Sequence, residues 1–142
     1  MQNIRTLMMA LARTRRVWND HKKAIALEIG IPESYRTVIM YLTKHPGANQ
    51  RMIAEFSEVT ASAINQTVKS MIAERYVYKE TDGSDRRHTK LFLTEKGEQT
   101  AELLMEKMDL SDDLITAFVT PEKEAELIAL LDQINDYIRE AL

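Results

Sequence analysis

The stretch NQRMIAEFSEVTASAINQTVKSMIAERYVYKETDGSDRRHTKLFLT, residues 49–94, decides how this chain folds. Asn49 has the side chain of a helix N-cap, and Gln50 to Ser57 follows as a short helix. Ile53 and Phe56 are expected to point inward there, and Ala54 allows close helix approach. Glu58-Val59 makes a turn, and Thr60 caps a second helix running roughly to Glu74. At about 100° per residue, Ala61, Ile64, Val68, Met71 and Ile72 share one sector of that helix. Tyr76 to Thr81 is rich in β-formers, and His88 to Leu93 is a second strand candidate in which Leu91 and Leu93 alternate with Lys90 and Phe92. Between the two strands, Asp82-Gly83-Ser84 is turn chemistry. Two short helices and a hairpin with a protruding tip make a helix–turn–helix followed by a wing.

Outside this stretch the sequence reads as long helix. Residues 3–29 carry Ile4, Leu7, Met8, Leu11, Trp18 and Ile25 mostly on one face, with Arg15 and Lys22 interrupting the stripe. Gly30 suits the position just past a helix end, and Pro32 suits a helix start. From Pro32 to about Lys44, Tyr35, Val38, Ile39 and Leu42 form an i, i+3, i+4, i+7 set that stops at Pro46-Gly47. Thr94 caps a fifth helix, with Glu95 well placed for its dipole, carried by Ala101, Leu104, Met108 and Ile115 to about Ala117. Thr120-Pro121 opens a sixth, striped by Leu127, Leu131, Ile134, Ile138 and Ala141. The expectation is a mainly α chain with a small β-hairpin wing. It is a single domain over 1–142, with a winged-helix lobe over about 32–97. Helices over about 1–30 and 98–142 carry apolar stripes that a second copy could cover, giving a two-fold dimer. Mutual cover within one copy is the competing arrangement.

Composition narrows the function. At 142 residues, 44% apolar and 29% charged, the chain is an ordinary globular protein. No apolar run approaches the roughly 18 residues of a membrane span. The first residues lack a signal-peptide pattern, and a cytoplasmic location is expected. The absence of cysteine excludes disulfides, thiolate metal sites and thiol redox sensing. There is no Gly-rich phosphate loop, no nucleophile motif and no metal-spaced pair among His21, His45 and His88. The reading is therefore not an enzyme, with no cofactor and no metal; a metal-sensing variant built from His–carboxylate pairs brought together by the fold is the alternative. The net charge of −3 is unevenly laid out. Residues 1–45 hold 8 Lys/Arg against 3 Asp/Glu, residues 46–97 hold 8 against 7, and residues 98–142 hold 3 against 12. An acidic total therefore does not argue against a polyanionic partner, because the local field is what counts.

Two features point to that partner. The outer face of the second short helix carries Ser62, Gln66, Lys69, Ser70 and Ala73. It is polar, short-chained and free of i,i+4 charge lacing. Such a face can read base edges in a major groove, where Gln and Asn pair with adenine; a plain solvated helix is the bland alternative. The hairpin tip concentrates Arg86, Arg87, His88 and Lys90, more positive charge than a stable turn needs. An arginine on a narrow tip can enter a minor groove, where the potential is most negative. Asp85 would pair with a neighbouring arginine and hold the tip's shape. A loose charged loop is the alternative here.

With these elements placed, the chain resembles the MarR family of winged helix–turn–helix transcriptional regulators. The resemblance covers essentially the whole chain. It is sharpest from Asp85-Arg86-Arg87 to Leu93-Thr94-Glu95-Lys96-Gly97, where the family's wing has Asp-x-Arg, a strand ending in Leu-Thr and a Gly three residues on. Ile53-Ala54 matches the family's Leu-Ala, and Ile64 and Val68 match apolar positions of its recognition helix. Three departures stand out. Arg75 and Glu58 occupy positions where the family often has Gly, and Gln66 replaces a frequent Arg. Arg75 must then adopt whatever backbone that Gly supplies, at a cost if φ is positive.

What the resemblance implies is a homodimer on a pseudo-palindromic DNA duplex. Thr60, Ser62, Ala63, Asn65, Gln66, Lys69 and Ser70 would bind DNA from the helix that enters the major groove, and Arg86, Arg87 and His88 from the wing, with Arg87 entering the adjacent minor groove. It also implies a repressor released by a small, often aromatic or anionic effector. Arg15, Arg16, Trp18, His21 and Tyr35 are the candidates to line that effector's cleft. The lack of cysteine makes the chain unlike the family's peroxide-sensing branch. The competing reading is a winged-helix protein-interaction module that has lost specific DNA binding.

Overall fold

The structure is a computed structural model that describes residues 4–81 and 89–141. These form six helices and one two-stranded sheet: α1 (Ile4–Ile29), α2 (Glu33–Lys44), α3 (Gln50–Ser57), α4 (Ala61–Ala73), β1 (Val77–Thr81), β2 (Thr89–Leu93), α5 (Glu95–Thr116) and α6 (Pro121–Ala141). The chain divides into two compact units, Met1–Met105 and Glu106–Leu142.

In the first unit, side-chain caps set the helix starts. Asn49 accepts from the Met52 amide at 2.9 Å, and Thr60 accepts from the Ala63 amide at 3.1 Å. Thr94 caps α5 through the Gly97 amide at 3.1 Å. The helix α1 ends as Gly30 expects: Gly30 has φ +88°, and the Ile31 amide reaches back to the Ala26 carbonyl. Pro32 serves as the N-cap of α2 in extended conformation, one position earlier than the sequence suggests.

The core of this unit is the inner faces of α2, α3 and α4 closed by the hairpin. Val38, Ile39, Leu42, Ile53, Ile64, Val68, Met71, Val77, Leu91 and Leu104 are all buried. Strands β1 and β2 pair antiparallel with Val77 opposite Leu93 and Thr81 opposite Thr89. The loop after α2 extends that ladder, because Gly47 donates to the Leu91 carbonyl and the Leu91 amide donates to Ala48. Two inward assignments fail. Phe56 is 69% exposed, its ring against Tyr41 at the surface (centroids 5.0 Å apart), and Ala61 is exposed in the first turn of α4. In so short a helix, position i+3 lies about 60° from Ile53, far enough to put Phe56 on the rim.

In the second unit, Ser111 is buried with its hydroxyl on the Lys107 carbonyl. Thr120 caps α6 through the Lys123 amide. No residue of α6 is buried: Leu131 and Ile134 are half-covered, while Leu127, Leu130, Tyr137 and Ile138 lie open.

Candidate nucleic-acid interface

The interface candidate is the outer face of α4. Ile64, Val68 and Met71 anchor the helix in the core, and this leaves Ser62, Ala63, Gln66, Lys69 and Ser70 exposed, with Asn65 half-buried. Thr60 is exposed too, but its hydroxyl oxygen is engaged as the cap. Among the described residues, no ion pair crosses this face, although the Ser70 hydroxyl is hydrogen-bonded to Tyr35. The tip residues Asp85, Arg86, Arg87 and His88 lie outside the described residues. What is described is the pair of strands that aims them, from Thr81 opposite Thr89 inwards.

The junction between α4 and the hairpin is tightly built. Glu58, which ends α3, and Arg75, which follows α4, are the two non-glycine residues with positive φ, at 54° and 64° among the described residues. Both departures from the family's glycines therefore keep a glycine-like backbone. Around Arg75, the Thr94 hydroxyl donates to the Arg75 carbonyl at 2.5 Å and the Thr94 amide to the Tyr76 carbonyl at 3.0 Å. Lys96 donates to the Glu74 carbonyl at 2.9 Å and lies 4.1 Å over the Tyr76 ring. A Cβ at Gly97 would collide with the Tyr76 carbonyl oxygen, so only glycine lets α5 approach this closely. The Thr94-x-x-Gly97 spacing signals this junction in the sequence. Nothing in the sequence marked Lys96, whose partner is a carbonyl 22 residues away.

The five effector-cleft candidates fall into different surroundings. Tyr35 belongs to the core: it is 5% exposed, and its ring meets Tyr76 edge-on with centroids 5.6 Å apart. Burial raises its hydroxyl pKa above the usual 10.0, and its hydrogen bond with Glu74 adds to that, while Ser70 works the other way. Tyr35 thereby ties α2 to the end of α4. Arg15 crosses from α1 to Glu58 at 3.3 Å, both side chains largely exposed. Arg16 and His21 are exposed and Trp18 half-buried, with Trp18 and His21 rings 5.7 Å apart. A charged cluster that the sequence reading passed over lies nearby. Arg36 holds Glu33 at 2.9 Å, and half-buried Lys22 has its pKa lowered by burial, then by Arg36 and Arg15, against an opposing pull from Glu33.

Comparison with known proteins places this fold beside solved regulators. Residues 29–88 match the MarR family. That segment, 60 of the chain's 142 residues, is similar to the MarR family. Members of that family are transcription regulators. Among curated relatives, the chain is 25% identical to the HTH-type transcriptional regulator YybA of Bacillus subtilis (strain 168) over 100 residues, 70% of this chain and 67% of that one. Its fold is similar to a Staphylococcus aureus MarR in complex with salicylate and kanamycin, with TM-score 0.80 and 16% identity over 97% of this chain and 93% of that one. It is also similar to the transcriptional repressor CouR bound to a 23-mer DNA duplex, with TM-score 0.75 and 20% identity over 89% of each chain. Among the described residues, no helix is long and apolar enough to cross a membrane, and no group of side chains is arranged to hold a metal ion.

Proposed function

We propose that this chain is a MarR-family regulator, a sequence-specific double-stranded DNA-binding repressor working as a cytoplasmic homodimer on a pseudo-palindromic operator. The observation that carries the reading is the outer face of α4, where Ser62, Gln66, Lys69 and Ser70 are exposed and free of charge lacing on a helix whose opposite face is locked into the core. Gln66 is the base reader, Lys69 a phosphate contact, and Arg87 at the tip the minor-groove probe, with Asp85 shaping the tip and Arg86 and His88 beside it. That CouR, a similar fold, is bound to a 23-mer DNA duplex supports duplex DNA as the partner. Release of DNA by a small aromatic or anionic effector is the accompanying proposal. The salicylate complex of the similar S. aureus protein supports binding of such a molecule, with Arg15, Arg16 and His21 exposed and Trp18 half-buried.

Salt dependence tests the reading. Specific duplex binding predicts that log K falls linearly with log salt, by about 0.9 per phosphate contact. Arg87→Ala is expected to reduce operator affinity by roughly 1–3 kcal/mol without unfolding the protein. Affinity that neither salt nor Arg87→Ala changes would favour the protein-interaction module, to which the weakly charged α4 face gives its support.

A further inference from the structure

A cavity of about 340 Å³ opens beside the hairpin, with its lining wholly in the first unit. Three elements form it: Leu42 from the end of α2, Tyr78 and Phe92 from the hairpin, and Glu98, Glu102 and Met105 from α5. Tyr78 and Phe92 are cross-strand partners, stacked with ring centroids 5.5 Å apart and planes 22° apart, so they form one aromatic wall. Tyr78 is 43% exposed, unlike the buried Val77 and Leu91 of the hairpin's other face. Glu98 and Glu102 are four residues apart and lie on one side of α5.

The charge is one-sided. The lining contains no Lys, Arg or His. Among the described residues, neither glutamate is ion-paired. Lys90, the cation on the same strand face as Phe92, stands opposite Glu80 in the register. Two like charges at i,i+4 disfavour a helix slightly, and here they border an aromatic wall with no cation among the lining residues. An aromatic face attracts a cation through its quadrupole, and carboxylates attract the same charge. An anion meets two repelling groups. A hard metal ion finds two carboxylates and no further charged oxygen, and gains nothing from the rings. The volume lies at the small end of ligand sites, roughly 300–1,000 Å³.

We infer that this cavity binds a small organic cation, an aryl- or alkylammonium whose apolar part lies against Tyr78 and Phe92 and whose positive centre faces Glu98 and Glu102. Binding here does not depend on DNA recognition, although the two rings stand on the strands that carry the tip.

The test uses the full chain and two molecules of nearly the same shape: 3-hydroxyphenyltrimethylammonium and neutral 3-tert-butylphenol. Calorimetric titration is expected to show saturable one-to-one binding of the cation. Binding of the neutral molecule should be about tenfold weaker or more, the size of a desolvated cation–π contact joined to a nearby carboxylate. The cation should shift the ring proton resonances of Tyr78 and Phe92. Glu98→Gln with Glu102→Gln should remove the preference for the cation while leaving the thermal transition cooperative. If that double variant does not fold, Tyr78→Leu serves instead and should weaken cation binding. No saturation at millimolar cation would overturn the assignment. So would equal affinity for both molecules, an unchanged preference in the glutamine variant, or binding that leaves both rings unshifted.

Discussion

Arg75 holds φ at 64° on the turn that leads from α4 into the hairpin. Left-handed backbone costs an ordinary L-residue roughly 1–2 kcal/mol, and the surrounding hydrogen bonds all use its main chain, from the Ile72 carbonyl to the Thr94 hydroxyl. Nothing in that framework needs the arginine side chain. Glycine would remove the steric cost and give back about 0.5–1 kcal/mol in chain entropy. Arg75→Gly is therefore expected to stabilise the protein by about 0.5–1 kcal/mol, read as a higher denaturation midpoint with an unchanged slope; a lower midpoint would show that the side chain carries weight. This strain was legible in the sequence, because arginine stood where a glycine is usual. Glu58 tells the same story with one difference: it also receives Arg15 at 3.3 Å, an exposed pair worth little. Lys96 and Tyr35 were not legible in these roles. A lysine that caps a distant carbonyl and a tyrosine that ties α2 to α4 look like any lysine and any stripe residue until the chain is folded.

Elements were more legible than residues. The bounds of α3 and the caps Asn49, Thr60 and Thr94 follow from the sequence because each combines a side-chain acceptor with an apolar period. Phe56 escaped that logic, since eight residues give too little periodicity to separate core from rim. The division of labour between α4 and the hairpin belongs to this scale. The helix presents short hydrogen-bonding groups and one lysine, whereas the tip, beyond the described residues, carries the arginines. Gln66→Ala is accordingly expected to relax base preference at one position per half-site while leaving affinity for other positions and the salt slope unchanged. A uniform loss over all sequences, measured by competition among single-base operator variants, would place Gln66 on the backbone.

On the scale of the whole molecule, charge and exposure point to assembly. The acidic residues concentrate in 98–142, with 12 Asp/Glu against 3 Lys/Arg, C-terminal in sequence to the segment proposed to meet DNA. The same region exposes large apolar side chains, with Phe118 at 85% and Tyr137 at 75%, more than an isolated chain keeps open to water without consequence. Deleting residues 121–142 is expected to yield monomers or insoluble protein by sedimentation; a soluble dimer that still binds DNA would contradict the proposed use of α6. The stripe of α6 was plain in the sequence, but what covers it was not, because periodicity names the face and never the partner.

The proposed two-fold assembly, with α4 of each copy reading DNA, constrains the DNA as well as the protein. Selection of bound duplexes from a random pool, at moderate salt, tests this most directly. The account predicts enrichment of a pseudo-palindrome whose half-site centres lie about one helical turn, roughly 10 base pairs, apart. Recovery of duplexes with no shared sequence, or of a single unrepeated half-site, would contradict it.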